Sequence, residues 1–184
     1  MLGWLVKRRL AAFERAFNYD ASYMHEIYEV SPRAFWKFSR IAALAEHREA
    51  VPKETWYAAK IVVALAEDCG PCTQLAVTMA ERAGVDSETL CAILTEDQRA
   101  MSPDAALGFA FAKAVVHRDL ADSDRLRGEV VARWGRRAVV SLALVIASTR
   151  VFPAVKYALG HARACSRVRV AGADVPILRE ATHA

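Results

Sequence analysis

Apolar positions recur along most of the chain at the three-to-four-residue spacing of a helical face. Leu2, Val6, Leu10, Phe13 and Phe17 form one such stripe, and Lys7, Arg8, Arg9, Glu14 and Arg15 lie off it, which predicts an amphipathic first helix. Phe35, Phe38, Ile41, Ala42 and Leu44 predict a second apolar face, and Leu107, Phe111 and Val115 another. Residues 138 to 148 are apolar on nearly every side, the pattern of a helix buried among others, and Pro153 is expected to end or kink it near Phe152. Residues 19 to 31, with Tyr19, Tyr23, His25, Tyr28 and Glu29, read as a short helix.

Proline marks the starts. Ser31-Pro32, Val51-Pro52 and Ser102-Pro103 each place Pro at a first helical position, where the missing N–H has no intrahelical partner to lose. Gly84, the stretch from Asp119 to Ser123, Gly135 and Gly160 are the expected stops. Val168 to Val170 is the one stretch with a hint of strand alternation, so the fold class expected is all-α, a single-domain helical bundle. Residues 1–34 read as an N-terminal helical extension, 35–165 as the main helical domain and 166–184 as a tail, with an arm or frayed end from Ala171.

Composition narrows the class. With 184 residues, 54% hydrophobic and 25% charged, the chain has the size and balance of one globular domain, burying about 70% of its unfolded surface. The longest uncharged apolar run, from Ala138 to Thr149, falls short of the roughly 18 residues of a membrane span, so no transmembrane helix is expected. At the N-terminus the basic residues follow the apolar ones, the wrong order for a secretory signal, and a cytoplasmic location is expected. The net charge of +4 comes without a recognition motif, which argues against a nucleic-acid partner. Trp4, Leu5 and the Lys7-Arg8-Arg9 run would suit an anionic membrane surface, but Leu10, Phe13 and Phe17 extend the same stripe, so packing against the protein itself is expected instead.

The chemistry concentrates in Glu67-Asp68-Cys69-Gly70-Pro71-Cys72. Two cysteines separated by two residues close a small disulfide loop, and a helix predicted from about Pro71 to Arg82 would put its positive dipole end beside them and favour a thiolate. In a reducing compartment such a pair points to a reversible dithiol/disulfide couple more than to a staple. Zinc would need two further ligands, and Cys91 beside Leu90, Ile93 and Leu94 reads as a small core residue; Cys165, after His161 and Arg163, is the remaining cysteine. Neither a metal nor a cofactor is expected, and no phosphate-cradling glycine loop or GxSxG motif is present.

Cys69-Gly70-Pro71-Cys72 is also the thioredoxin tetrapeptide, but helices precede it where that fold needs strands. Pro52 to Val85, a helix, the C-x-x-C and a second helix, resembles instead the core of the alkylhydroperoxidase AhpD-like, or carboxymuconolactone decarboxylase, family. Leu107 to Asp119, Leu126 to Trp134, Val139 to Ile146 and Tyr157-Ala158-Leu159-Gly160 extend the resemblance over residues 35–165. It implies an all-helical homo-oligomer, a trimer or a multiple of trimers. It also implies an antioxidant activity, in which the dithiol reduces a peroxide or passes electrons to a peroxiredoxin with a thiol reductant as source. The family's relay His, four residues after the second cysteine, is here Ala76, and its Glu, twelve residues before the first, is here Tyr57.

Glu67 is the nearest carboxylate and the candidate base, completing a catalytic set of Cys69, Cys72 and Glu67. Glu54, Tyr57 and His161 are further substitutes for the missing relay; the other histidines, His25, His47, His117 and His183, are dispersed. General C-x-x-C logic makes Cys69 the attacking thiolate, whereas the family resemblance makes it Cys72. The function expected is a thiol-disulfide oxidoreductase or peroxidase acting on a peroxide or disulfide substrate. The alternative is a non-catalytic helical oligomer, a scaffold with a vestigial C-x-x-C.

Overall fold

A computed structural model describes residues 2–163 and 167–177. Among them the chain forms α1 (Leu2–Phe17), α2 (Ser22–Val30), α3 (Pro32–Glu46), α4 (Lys53–Ala66), α5 (Gly70–Arg82), α6 (Ser87–Leu94), α7 (Pro103–His117), α8 (Leu120–Trp134), α9 (Arg136–Ala158), β1 (Arg167–Val170) and β2 (Ala173–Pro176). The fold is helical, with one two-stranded antiparallel sheet.

Local chemistry sets the ends. Ser31 and Ser102 accept from the N–H groups of Ala34 and Ala105, and Pro32 and Pro103 follow in the first turns, as the Ser-Pro pairs predict. Val51-Pro52 has no serine to cap, and there Pro52 is the flanking residue and Lys53 the first helical one. The stop expected over Asp119 to Ser123 is narrower: α7 ends at His117, Arg118 turns the chain at φ 59°, and Asp119 starts α8 by accepting from Asp122 N–H. Pro153 does not end α9, which runs on to Ala158; Pro153 has no N–H for the Thr149 carbonyl one turn back.

α4 is the hub, packed on α5, α6, α7 and α9, with α8 closing over α7 and α9. Its Ala58, Ala59, Ile61, Val63 and Ala64 have no exposed surface. α4 meets α7 where Gly108 lies against the Thr55 backbone: a Cβ on Gly108 would stand 2.8 Å from Thr55 C and Cα. Thr55 Oγ1 donates to Asp104 O at 3.0 Å, and Ser102 Oγ to Glu54 at 3.1 Å, which ties together the first turns of the two helices.

Two of the predicted faces are differently placed. α9, expected to be enclosed on nearly every side, buries Ala138, Leu142, Val145 and Ile146 but leaves Val140 53% exposed. By length and composition α9 would also suffice to cross a bilayer; 44% of its most apolar window is buried within this fold. On α3, Phe35 and Ala45 are buried and Phe38 half-buried, whereas Ala42 and Leu44 face outward.

The first three helices form a layer with its own packing. Val6, Leu10 and Phe35 make one buried cluster, and Tyr19, Ala21 and Tyr23 another, against which Phe13, Phe17 and Phe38 pack. From Val6 to Phe17 the α1 stripe therefore meets its own chain, while Trp4 stands 63% exposed beside Arg8. Lys156 joins this layer to α9: its ammonium lies over the rings of Tyr19 and Tyr23 at 4.6 and 5.2 Å.

The segment from Arg167 departs furthest from the expected tail. Ala171 (φ 48°) and Gly172 (φ 83°) make a two-residue turn of positive-φ residues, and Val168 pairs with Val175 and Val170 with Ala173. Val168, Val170 and Val175 join the main core. α5 holds the hairpin by backbone mimicry: Gln74 accepts from Arg169 N–H at 2.7 Å and donates to its carbonyl at 3.0 Å, and Glu81 accepts from Ala171 N–H at 2.6 Å. The rest of residues 166–184, Ser166 and 178–184, lies outside the described residues.

Gly108→Ala is expected to lose about 1–3 kcal/mol of stability through overpacking. Urea denaturation should show a lower midpoint at unchanged slope.

Candidate dithiol site

The turn from α4 into α5 is built from three unlike residues. Asp68 takes a left-handed φ of 45°, Cys69 is the N-cap of α5 in extended conformation, and Gly70 and Pro71 open the helix. Cys69 and Cys72 are joined as a disulfide, with Cα atoms 5.2 Å apart. The Cys69 carbonyl accepts from Thr73 N–H at 2.9 Å and from Thr73 Oγ1 at 3.0 Å. Gly70 N–H donates to Arg163 O at 3.2 Å, so the strand of chain after α9 lies against the helix start. The pair sits at the positive end of the α5 dipole.

Both sulfurs belong to a small apolar cluster with Ala64. Cys69 is 1% exposed and Cys72 8%. Cys72 is thus the more exposed residue of the pair.

Glu67 lies beside the turn, but its carboxylate accepts from Arg150 Nε at 2.7 Å. Tyr157 donates from its hydroxyl to Asp68 O at 3.1 Å. Two residues of α9 therefore strap the loop in which the cysteines sit. Neither is assigned a role from the sequence; the signal available there is that Arg150 ends an apolar run.

The remaining substitutes for the relay are dispersed. Glu54 binds Ser102 at the far end of α4, about 18 Å along the helix from Ala66. His161 is engaged by α2, with Nδ1 3.1 Å from Ser22 Oγ and Nε2 2.6 Å from Glu26. Ala76 is buried in the core. Tyr57 stacks edge-on against Trp56, and burial pushes its phenol pKa up. Cys91 is a free, partly buried thiol packed against the main core, and Cys165 lies outside the described residues. Among the described residues no cluster of His, Cys, Asp and Glu is arranged to hold a metal.

The chain matches no protein-family model, no curated protein and no solved structure.

After gentle reduction, Cys72 is expected to react with a maleimide several-fold faster than Cys69, because of its greater exposure. Peptide mapping by mass spectrometry after timed quenching checks the order.

Proposed function

We propose that the chain is a thiol-disulfide oxidoreductase of the AhpD-like kind, reducing a peroxide or a partner's disulfide through Cys69 and Cys72. The single observation that carries this reading is the pairing of the two cysteines across the first turn of α5. For a peroxide, a thiolate attacks the distal oxygen of R–O–OH, the O–O bond breaks, and the leaving alkoxide takes a proton as ROH. The sulfenic acid formed is closed by the second cysteine with loss of water, and an external dithiol restores both thiols. With Glu67 held by Arg150, the leaving-group proton would come from water or from the second thiol.

Turnover needs an external reductant, which fits a thiol reductant or peroxiredoxin as partner in a cytoplasmic setting. Assembly into a homo-oligomer is part of the proposal, and the outward face of α9, with Val140, Ala143 and Ala147, suits it. The second reading, a non-catalytic helical scaffold, is favoured by Tyr57 and Ala76 at the relay positions and by the burial of both sulfurs.

Consumption of tert-butyl hydroperoxide with dithiothreitol as donor is expected to fall at least 100-fold in both Cys69→Ser and Cys72→Ser. Turnover that survives either change would remove the peroxidase reading, and a pair that cannot be cycled in defined thiol/disulfide buffers would leave the scaffold.

A further inference from the structure

We propose that a cleft on the α4–α5 hairpin, away from the dithiol, binds a small organic acid: one carboxylate on an apolar or aromatic body. The cleft has a volume of about 350 Å³, at the small end of ligand pockets. Met79 on its α5 wall is seven residues from Cys72, about 10 Å along the helix, so the site is separate from the disulfide. The inference stands whether or not the dithiol is catalytic.

Charge is the first argument. Arg48, Lys60 and Arg82 line the cleft against a single carboxylate, Glu46. Each of the three cations donates to a backbone carbonyl: Arg48 to Val51 O at 2.9 Å, Lys60 to Ala45 O at 3.0 Å and Arg82 to Ala16 O. Among the described residues none of the three is in an ion pair, and Glu46 attracts Lys60 without coming within ion-pair distance. Each therefore keeps donors for an anion, and a guanidinium fork matches a carboxylate.

The walls are the second argument. Tyr57 and Met79, with Phe17 lying under the Arg82 guanidinium at 4.3 Å, give the cleft an apolar side that a bare inorganic anion would leave unused. The Tyr57 phenol, held protonated by burial, adds a neutral donor at the edge.

Lys60 reports on the site. Burial holds its ammonium down to about 8 in spite of Glu46. A bound carboxylate would favour the charged form and raise that value, so binding takes up a proton near pH 8. The charged and titratable groups that line the cleft with Lys60 are Glu46, Arg48, Arg82 and Tyr57, and burial pushes the Tyr57 phenol up, away from this range. Affinity is thus steady below about pH 8 and falls above it, towards tenfold per pH unit.

The test is a calorimetric titration of the full chain with benzoate and 1-naphthoate, using benzamide and inorganic phosphate as comparators. Expected are saturable binding of the acids, at least tenfold weaker binding of benzamide and of phosphate, and proton uptake at pH 8 seen as a dependence on buffer ionisation enthalpy. Arg82→Gln and Lys60→Met should each weaken naphthoate at least tenfold. Arg82 sits at the exposed end of α5, so its variant keeps the test sound should Lys60→Met fail to fold, which a melting curve reveals. No binding at 10 mM of either acid, benzamide as tight as benzoate, phosphate as tight as benzoate, or full affinity in Arg82→Gln would each overturn the proposal.

Discussion

The contact between Gly108 and the Thr55 backbone sets the spacing on which the rest of the bundle depends. With no Cβ in the way, α4 and α7 approach at the distance of main chain against main chain, and the alanines of α4 follow the same logic on its other sides. A helix so narrow can be surrounded on several faces at once. That is how one 14-residue segment serves as partner to four other helices. The polar bonds at the same crossing, Thr55 to Asp104 and Ser102 to Glu54, satisfy groups that this closeness would otherwise strand away from water.

The dithiol turn inherits its position from that hub. α4 delivers Ala66 at a fixed point, Asp68 reverses the chain, and α5 returns antiparallel with the cysteines at its head. α9 then holds the turn from outside through Arg150 and Tyr157. Among the described residues, the buried apolar cluster that holds the two cysteines is completed by Ala64. Of the two cysteines, Cys72 keeps the larger exposure.

Helix starts and the dithiol were legible in the sequence because they depend on local chemistry. Ser-Pro pairs and an N-terminal helix turn act within four residues, and no distant contact overrides them. Burial was less legible, because it depends on which neighbours exist. α9 is as apolar as a core helix yet keeps one face open, while α7, with Gly108 in its middle, is more enclosed than its stripe of Leu107, Phe111 and Val115 suggested. The roles of Glu67, Glu54 and His161 were set by partners 48 to 135 residues away, Arg150, Ser102 and Glu26, which spacing alone does not reveal. The hairpin was hidden by its shortness: two four-residue strands offer few alternations, although Val168, Val170, Gly172 and Val175 were its visible trace.

That hairpin also bears on the order in which the protein matures. Its valines complete the surface of α5 and α6, and Gln74 and Glu81 wait for backbone partners that lie 90 or more residues further on. During synthesis α5 and α6 leave the ribosome before the hairpin, so the apolar patch that its valines cover is uncovered until that segment follows. This part of the core therefore closes only after the helices it covers have been made, and a chain cut short before Arg167 would present chaperones and proteases with the same unfinished surface permanently.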